Sequence, residues 1–497
     1  MTVPILRIVA FILGMLGVAL VPPFATALAC GETASAWAFA IPLAFSLPLT
    51  AAARIGRRRE TERTIDPASA FVAVGCAWVA IGLFGAVPFS LSGAFPGVTD
   101  AVFESVSGFT TTGVSVLSDV ESLPRSVSLW RCETHWLGGM GVITLAVALV
   151  PLLGVGGFRL VKAETTGPEK GKVTARIMDT AKALWVIYVG FTALEAGLLM
   201  LAGLGFFDAV CHAFSTLGTG GFSTRNASVG AFGSARAEWI CTAFMLVASV
   251  NFALYFRLFT GRVREMLVDS ELRAFLLLVA VAILAVTLVE LPEYGSFGRS
   301  LRYSAFQVAS VVSTTGFMSA DYAAWRPAAQ LLLAVLFMVG GCSGSTAGGV
   351  KVVRWTILAK QLRNDFRRIL HPHEVVTLRL NGASGREDFV PVVASFVLAY
   401  VLLVLATGLA GTLAGLGVTE AFTASMSMVG NVGPAFGALG PTANYGALPA
   451  WLKWFYSLAM LAGRLEIYTM LVLMSFLVRT AKDVPYKMFL KLPRRAS

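Results

Sequence analysis

Four short stretches of this chain join hydroxyl side chains to a glycine, and they carry its most distinctive chemistry. The first is SGFTTTGV at residues 107–114, and imperfect copies follow at 212–222, 311–317 and 426–434. Aligned on one glycine each, the copies recur roughly every hundred residues, a longer period than that of solenoid repeats. This recurrence suggests four copies of a small module arranged around one axis. The aligned glycines are Gly113, Gly220, Gly316 and Gly433.

Such stretches have the chemistry of a filter for a monovalent cation. Backbone carbonyls can replace an ion's hydration shell, and threonine or serine hydroxyls add neutral oxygen ligands. Glycine permits positive φ, so the carbonyls can be turned onto one axis. No carboxylate lies in the four segments, which argues against selectivity by a charged ring. The candidate filter residues are Thr111, Thr112, Gly113, Gly218, Thr219, Gly220, Thr314, Thr315, Gly316, Asn431, Val432 and Gly433.

Composition places these stretches in a membrane protein. The chain has 497 residues, of which 56% are hydrophobic and only 13% charged, with a formal net charge of +11. Soluble domains average about 25% charged residues. The positive charges fall in short loops between apolar runs, which indicates a basic cytoplasmic side rather than nucleic-acid binding. Six scattered cysteines and four histidines form no CxxC pair and no convincing metal-ligand set.

The apolar runs predict an all-α polytopic membrane protein with two N-terminal transmembrane helices followed by four helix–pore-helix–helix modules. The expected modules span residues 64–158, 159–265, 266–370 and 371–497, after the N-terminal pair at 1–63. Each module contains a short, polar run that reads as a half-helix entering from outside. Arginine and lysine clusters at 54–63, 159–182, 257–264, 351–368 and 479–495 place both termini in the cytoplasm. The ten predicted spans cover 4–29, 35–53, 68–92, 127–152, 180–204, 236–260, 273–291, 327–350, 389–415 and 449–478.

One stretch of Gly, Ser, Thr, Ala and Cys, at 340–349, interrupts the inward span of module three. Irregular backbone at membrane depth must be buried in protein or line water. A movable loop beneath the filter satisfies that rule, and close helix packing by small residues is the alternative. The candidate gate residues are Gly344, Ser345, Thr346, Ala347, Gly348 and Gly349, together with Arg464.

Arg464 falls within an apolar span, where a charge is costly unless it faces water or a partner. Facing the pore, it would repel cations; a structural salt bridge to Glu195 or Glu133 is the alternative. Lys351, just after the loop, either contacts the gate or ends a helix. Acidic residues near the outer rim are expected to concentrate cations at the mouth. They are Asp100, Glu104, Asp119, Asp208, Asp321 and Glu420.

The whole set of motifs resembles the Trk/Ktr/HKT superfamily of potassium transporters, and within it the TrkH/TrkG-type subunit. The resemblance covers essentially the whole chain. It is carried by the first three filter stretches and by WLGGMG at 136–141, HPHEVV at 371–376 and GRLEIY at 463–468. It implies a pseudo-fourfold pore, a gating loop, potassium uptake across the inner membrane, a homodimer, and a cytosolic TrkA-type nucleotide-binding regulator. Potassium would be transported, with no tightly bound cofactor. The fourth segment, with Asn431 and Val432, departs from the family's Thr-Gly pattern.

Two other functions remain open from the residues. A sodium- or proton-coupled symporter would need a solute pocket and a two-part inverted repeat, against which four same-orientation modules argue. An intramembrane serine protease is suggested by GCSG at 341–344, but the serine would need a histidine in a neighbouring span. His371 and His373 fall in a basic loop, and His135 and His212 fall near the outer side. We therefore expect a transporter and no enzyme.

Overall fold

The computed structural model describes residues 2–57, 67–152, 173–373, 379–380, 383–384, 389–476 and 478. Most of these residues are helical, as the apolar runs predict. Within the described ranges the β-structure is one short hairpin that pairs Arg379–Leu380 with Ala383–Ser384. The basic segment at 159–172, most of the arginine block at 54–63 and the basic tail from 479 lie outside the described residues.

Three helices come first, and each later module contributes one long helix, one short helix and a returning segment. The long outward helices begin at or near the predicted residues because apolar runs of this length bury their backbone polar groups internally. In chain order the helices are α1 Thr2–Ala19, α2 Val21–Ala29, α3 Thr33–Arg57, α4 Pro67–Leu91, α5 Val98–Phe109, α6 Arg125–Leu152, α7 Val173–Leu201, α8 Phe206–Gly218, α9 Ala235–Ala248, α10 Phe252–Phe259, α11 Val263–Val268, α12 Ser270–Tyr294, α13 Phe297–Val312, α14 Pro327–Leu336, α15 Val352–Leu370, α16 Phe389–Leu413, α17 Val418–Gly430, α18 Ala450–Arg464 and α19 Tyr468–Phe476.

The four short helices α5, α8, α13 and α17 have 12, 13, 16 and 13 residues. At 1.5 Å per residue they are too short to cross a hydrocarbon core of about 30 Å. Each begins directly after a glycine or serine, namely Gly97, Gly205, Ser296 and Gly417. Their C-terminal halves are almost completely buried. The structure thus contains four short helices at the places where the polar runs predict half-helices.

The returning segments differ from the straight spans expected from their composition. The described part of the chain holds five helices long and apolar enough to cross a membrane, or seven if two bent pairs each count once. One bent pair is α9–α10, broken at 249–251 with a 94° bend, and the other is α18–α19, broken at 465–467 with a 120° bend. The span predicted at 327–350 is only helical to Leu336. The bend at 249–251 and the bend after Arg464 both lie beside the candidate gate loop, to which they are hydrogen-bonded.

Candidate functional site

The four short helices end in the same backbone conformation. Thr111, Thr219, Thr314 and Asn431 have φ of 55°, 54°, 56° and 55°. Left-handed backbone is uncommon for residues other than glycine and costs of order 1–3 kcal/mol. The same strained conformation therefore recurs once in each module, at the point where the helix gives way to the candidate filter.

A glycine follows two residues after each left-handed residue. Gly113, Gly221, Gly316 and Gly433 have φ of 79°, 83°, 80° and 109°. The second copy is therefore aligned on Gly221, which corrects by one residue the sequence alignment on Gly220. Gly220 and Gly221 both fit the sequence pattern, but of these two only Gly221 has the positive φ of the other three glycines.

These glycines bring the four segments into a closed ring. A Cβ atom added at Gly113 would overlap the carbonyl oxygen of Gly220, and one at Gly221 would overlap that of Thr315. In the same way, a Cβ atom at Gly316 would overlap the carbonyl oxygen of Val432. A Cβ atom at Gly433 would lie 2.7 Å from the carbonyl oxygen of Thr112. Each segment thus touches the next in sequence order, and the last touches the first. The four carbonyls, of Thr112, Gly220, Thr315 and Val432, occupy equivalent positions in their segments.

A serine four residues before each left-handed residue supports this backbone. The carbonyl oxygens of Ser107, Ser215, Ser310 and Ser427 accept hydrogen bonds from the backbone N–H groups of the residues five positions later, each at 2.9 Å. The hydroxyls of Ser107 and Ser310 also donate to the carbonyls of Val114 and Phe317, at 2.7 and 2.6 Å, and that of Ser427 donates to Gly433. In module two the hydroxyl of Ser215 instead lies 3.4 Å from His135 Nδ1.

A buried ion pair joins the first two filter segments. Arg131 Nε donates to Glu104 Oε1 at 2.8 Å, and both side chains are essentially inaccessible to solvent. Glu104 also accepts from the backbone N–H of Val116, and Arg131 donates to the carbonyl of Ser223 and stacks on Phe222. A buried pair of this kind is costly to break because one charge would remain uncompensated. It therefore fixes segment one against segment two.

The residue type at the position of Glu104 differs among the four modules. The equivalent residues, seven before each left-handed residue, are His212, Gln307 and Ala424. His212 Nε2 lies 2.9 Å from Ser223 Oγ, and Gln307 donates to the carbonyl of Ala320 at 3.0 Å. Ala424 has no polar side chain, so the fourth segment lacks this support. The ring is fourfold in its backbone and asymmetric in its packing.

The stretch 340–349 forms a loop that lies against the second, third and fourth segments. The N–H of Gly348 donates to the hydroxyl of Thr314 at 2.6 Å, and the hydroxyl of Thr219 donates to the carbonyl of Thr346 at 2.9 Å. Arg464 Nη1 donates to the same Thr346 carbonyl at 2.7 Å, and its Nη2 donates to Gly138 at 3.2 Å. Thr219, Thr314 and Arg464, from modules two, three and four, thus hold the loop against the ring.

The break between α9 and α10 holds the other side of the loop. A broken helix leaves carbonyls free, and here Ser249 accepts from the N–H of Cys342 at 2.8 Å, while Ala248 accepts from that of Thr346 at 3.3 Å. In return, Phe252 N–H donates to the carbonyl of Gly344 at 3.1 Å. The loop and the helix break therefore satisfy each other's backbone groups.

Comparison with known proteins agrees with this architecture. The family model described as "TrkH: Cation transport protein" matches residues 37–484. The Trk system potassium uptake protein TrkH of Halomonas elongata is 40% identical over 94% of this chain and 97% of its own length. The TrkH of Escherichia coli K12 is 38% identical over 84% of this chain and 86% of its own.

The chain belongs to the TrkH family. Its fold also matches the crystal structure of the potassium transporter TrkH from Vibrio parahaemolyticus, with a TM-score of 0.84, 34% identity, and coverage of 94% of this chain and 97% of that one. The resemblance noted in the sequence is thereby confirmed.

In this TrkH-family chain the structure gathers the predicted filter residues into one ring. The stretch 344–349 and Arg464 lie directly against that ring. Arg464 makes no ion pair within the described ranges, so neither Glu195 nor Glu133 is its partner. Lys351 contacts the candidate gate, because its Nζ donates to the carbonyl of Ala347. It does not end a helix, since it immediately precedes α15.

The outer rim is less acidic than its sequence indicates. Glu104 is fully buried against Arg131, Asp100 Oδ1 lies 2.6 Å from Lys453 Nζ, and Asp208 Oδ2 lies 3.2 Å from Arg225. Three of the six acidic residues are therefore neutralised by a cation. Asp119 is exposed, and its pKa is lowered chiefly by a hydrogen bond from Asn226. Asp119 thus retains its negative charge at the mouth.

Sequence reasoning missed Gly221, the four serines and the Glu104–Arg131 pair. The serines had a signal, because one stands six residues before each of the four glycines that share positive φ. The ion pair had none, since Glu104 and Arg131 are 27 residues apart on different helices.

Proposed function

We propose that this chain takes up potassium across the bacterial inner membrane through the ring formed by its four filter segments. The closed contact series from Gly113 through Gly221 and Gly316 to Gly433 carries this proposal. It sets four equivalent carbonyls around one passage, an arrangement that can replace the hydration shell of a monovalent cation. The relatives bearing the name potassium uptake protein support potassium as the ion.

The loop at 344–349 acts as the gate beneath this filter, and Arg464 raises the barrier to cations. The loop lies against the ring in the conformation seen here, so flow requires that it move aside. The buried guanidinium of Arg464 has no carboxylate partner in the described structure, and its charge opposes a cation at the same depth.

The functional assembly is a homodimer with a TrkA-type nucleotide-binding regulator on its basic inner face, and both termini lie in the cytoplasm. The second half of α15 and the segments before α12 supply arginines on that side, including Arg257, Arg262 and Arg363. The functional units follow the predicted boundaries, with two N-terminal helices before four pore modules. No catalytic step and no bound cofactor is part of this proposal.

Growth of uptake-deficient bacteria at low potassium tests the proposal. Expression of this chain with its regulator should restore growth, and rubidium-86 uptake by the same cells should rise. The Gly190→Ala variant is a matched control, because an added Cβ there meets no atom within 4 Å. Absence of uptake, with the protein shown to be in the membrane and its regulator present, would refute the proposal.

A further inference from the structure

A single buried carboxylate holds two separate parts of the gate region. Glu271, in the first turn of α12, is 8% exposed. Its Oε1 accepts a hydrogen bond from the backbone N–H of Ser343 at 2.7 Å and another from that of Val353 at 3.1 Å. Ser343 lies in the first limb of the loop, and Val353 lies in the first turn of α15.

The two donors lie on opposite sides of the loop's neck. The N–H of Gly340 donates to the carbonyl of Val350 at 2.9 Å, and the N–H of Val352 donates to that of Gly341 at 3.2 Å. These bonds close the base of the loop, and Glu271 joins its two limbs from outside. Its carboxylate therefore holds the loop and α15 in a fixed relation to α12.

The start of α15 explains why a carboxylate suits this place. The first N–H groups of a helix have no partner within the helix, and they favour a negative charge. Lys351, at the capping position of α15, provides no side-chain acceptor. Glu271 supplies one from another helix, and no lysine or arginine of the described chain forms an ion pair with it. The carboxylate thus bonds the loop at Ser343 and the start of α15 at Val353.

We propose that Glu271 is the positioning residue that keeps the loop in its blocking place and couples it to α15. This inference rests on the proposed function of the loop as a gate. Beyond Ala359 the helix α15 is largely exposed, with Leu362, Phe366 and Ile369 uncovered. A displacement of α15 relative to α12 stretches the bond to Val353 and, through the shared oxygen, the bond to Ser343. The exposed helix and the loop therefore move together.

Rubidium flux into liposomes that contain the purified chain without a regulator tests this coupling. Glu271→Ala removes the acceptor, and passive flux should rise about tenfold, the effect of losing one such hydrogen bond in the blocked state. Glu271→Gln keeps an acceptor oxygen, so its flux should rise less. Val353→Pro removes only the donor on α15, in the first turn where proline is tolerated, and should also raise flux. Glu265→Gln, an exposed acid of α11 without these bonds, should behave as the unaltered chain.

A second readout separates loop movement from general destabilisation. Cys342, beside Ser343, is 1% exposed. Its modification by a membrane-impermeant maleimide, located by mass spectrometry, should increase in Glu271→Ala and Val353→Pro at an unchanged melting temperature. If Glu271→Ala does not fold, the flux and Cys342 labelling of Val353→Pro alone test the inference. If the unaltered chain takes up rubidium in cells but both variants show its flux and its Cys342 labelling, the inference is wrong. Loss of uptake by the unaltered chain would instead overturn the proposed function.

Discussion

Arg464 and Thr346 are joined by a hydrogen bond of 2.7 Å from the guanidinium to the backbone carbonyl, although 118 residues separate them. The same carbonyl accepts from the hydroxyl of Thr219. The pair therefore connects the bend after α18 to the loop beneath the filter.

Replacing Arg464 by alanine should raise passive rubidium flux about tenfold or more. The variant loses the bonds to Thr346 and Gly138 as well as the positive charge, and bonds to charged groups are worth about 1.5–3 kcal/mol. Flux into liposomes measures the effect. Arg464→Lys keeps the charge and should give an intermediate flux. Equal flux in all three proteins would show that this arginine does not restrict the path.

Gly113→Ser should change the ratio of sodium to potassium flux. The glycine has φ of 79°, and any Cβ there collides with the carbonyl of Gly220, so one filter carbonyl must move. Competition between the two ions during rubidium uptake gives the ratio. Gly190→Ser, on an open face of α7, should leave the ratio unchanged. An unaltered ratio in Gly113→Ser would remove this residue from the filter.

The one-residue shift in module two can be tested through His135. A Cβ at Gly220 overlaps the ring of His135, whereas one at Gly221 overlaps the backbone carbonyl of Thr315. His135→Ala should therefore relieve most of the damage of Gly220→Ala and little of that of Gly221→Ala. Melting temperature and ion selectivity of the single and double variants measure the coupling. Equal relief of both would contradict the register found here.

Arg131→Met should destabilise the folded chain by about 3–5 kcal/mol, because it leaves the Glu104 carboxylate buried without its partner. Arg225→Met breaks the ion pair between Arg225 and Asp208. Because the Arg225 side chain is 42% exposed, this variant should lose only about 0–1 kcal/mol of stability. Thermal unfolding in detergent compares the two. Similar losses of stability in the two variants would mean that burial does not determine how much each ion pair contributes.

The points where the short helices give way to irregular backbone were predictable, because such backbone in a membrane protein is rich in glycine and hydroxyl residues. Glycines and hydroxyls interrupt apolar runs at Gly113 and Gly316, and the preceding runs are too short to cross. The breaks at 249–251 and 465–467 were not predicted, because each falls inside an apolar run long enough to be a straight span and the polar residues there are single. At 249–251 the free backbone groups are satisfied by the loop, a partner distant in sequence, and at the second break the side chain of Arg464 donates to the loop carbonyl of Thr346.

The sequence by itself determined the membrane class, the short and long helices and the stretches that give way to irregular backbone, since these follow from length, hydropathy and local conformational freedom. Only the tertiary structure decided that Gly221 meets Thr315, and that Glu271 holds a loop residue 72 positions away. Those choices depend on which backbone groups of separate modules come within hydrogen-bonding distance, and packing around the common axis sets that distance.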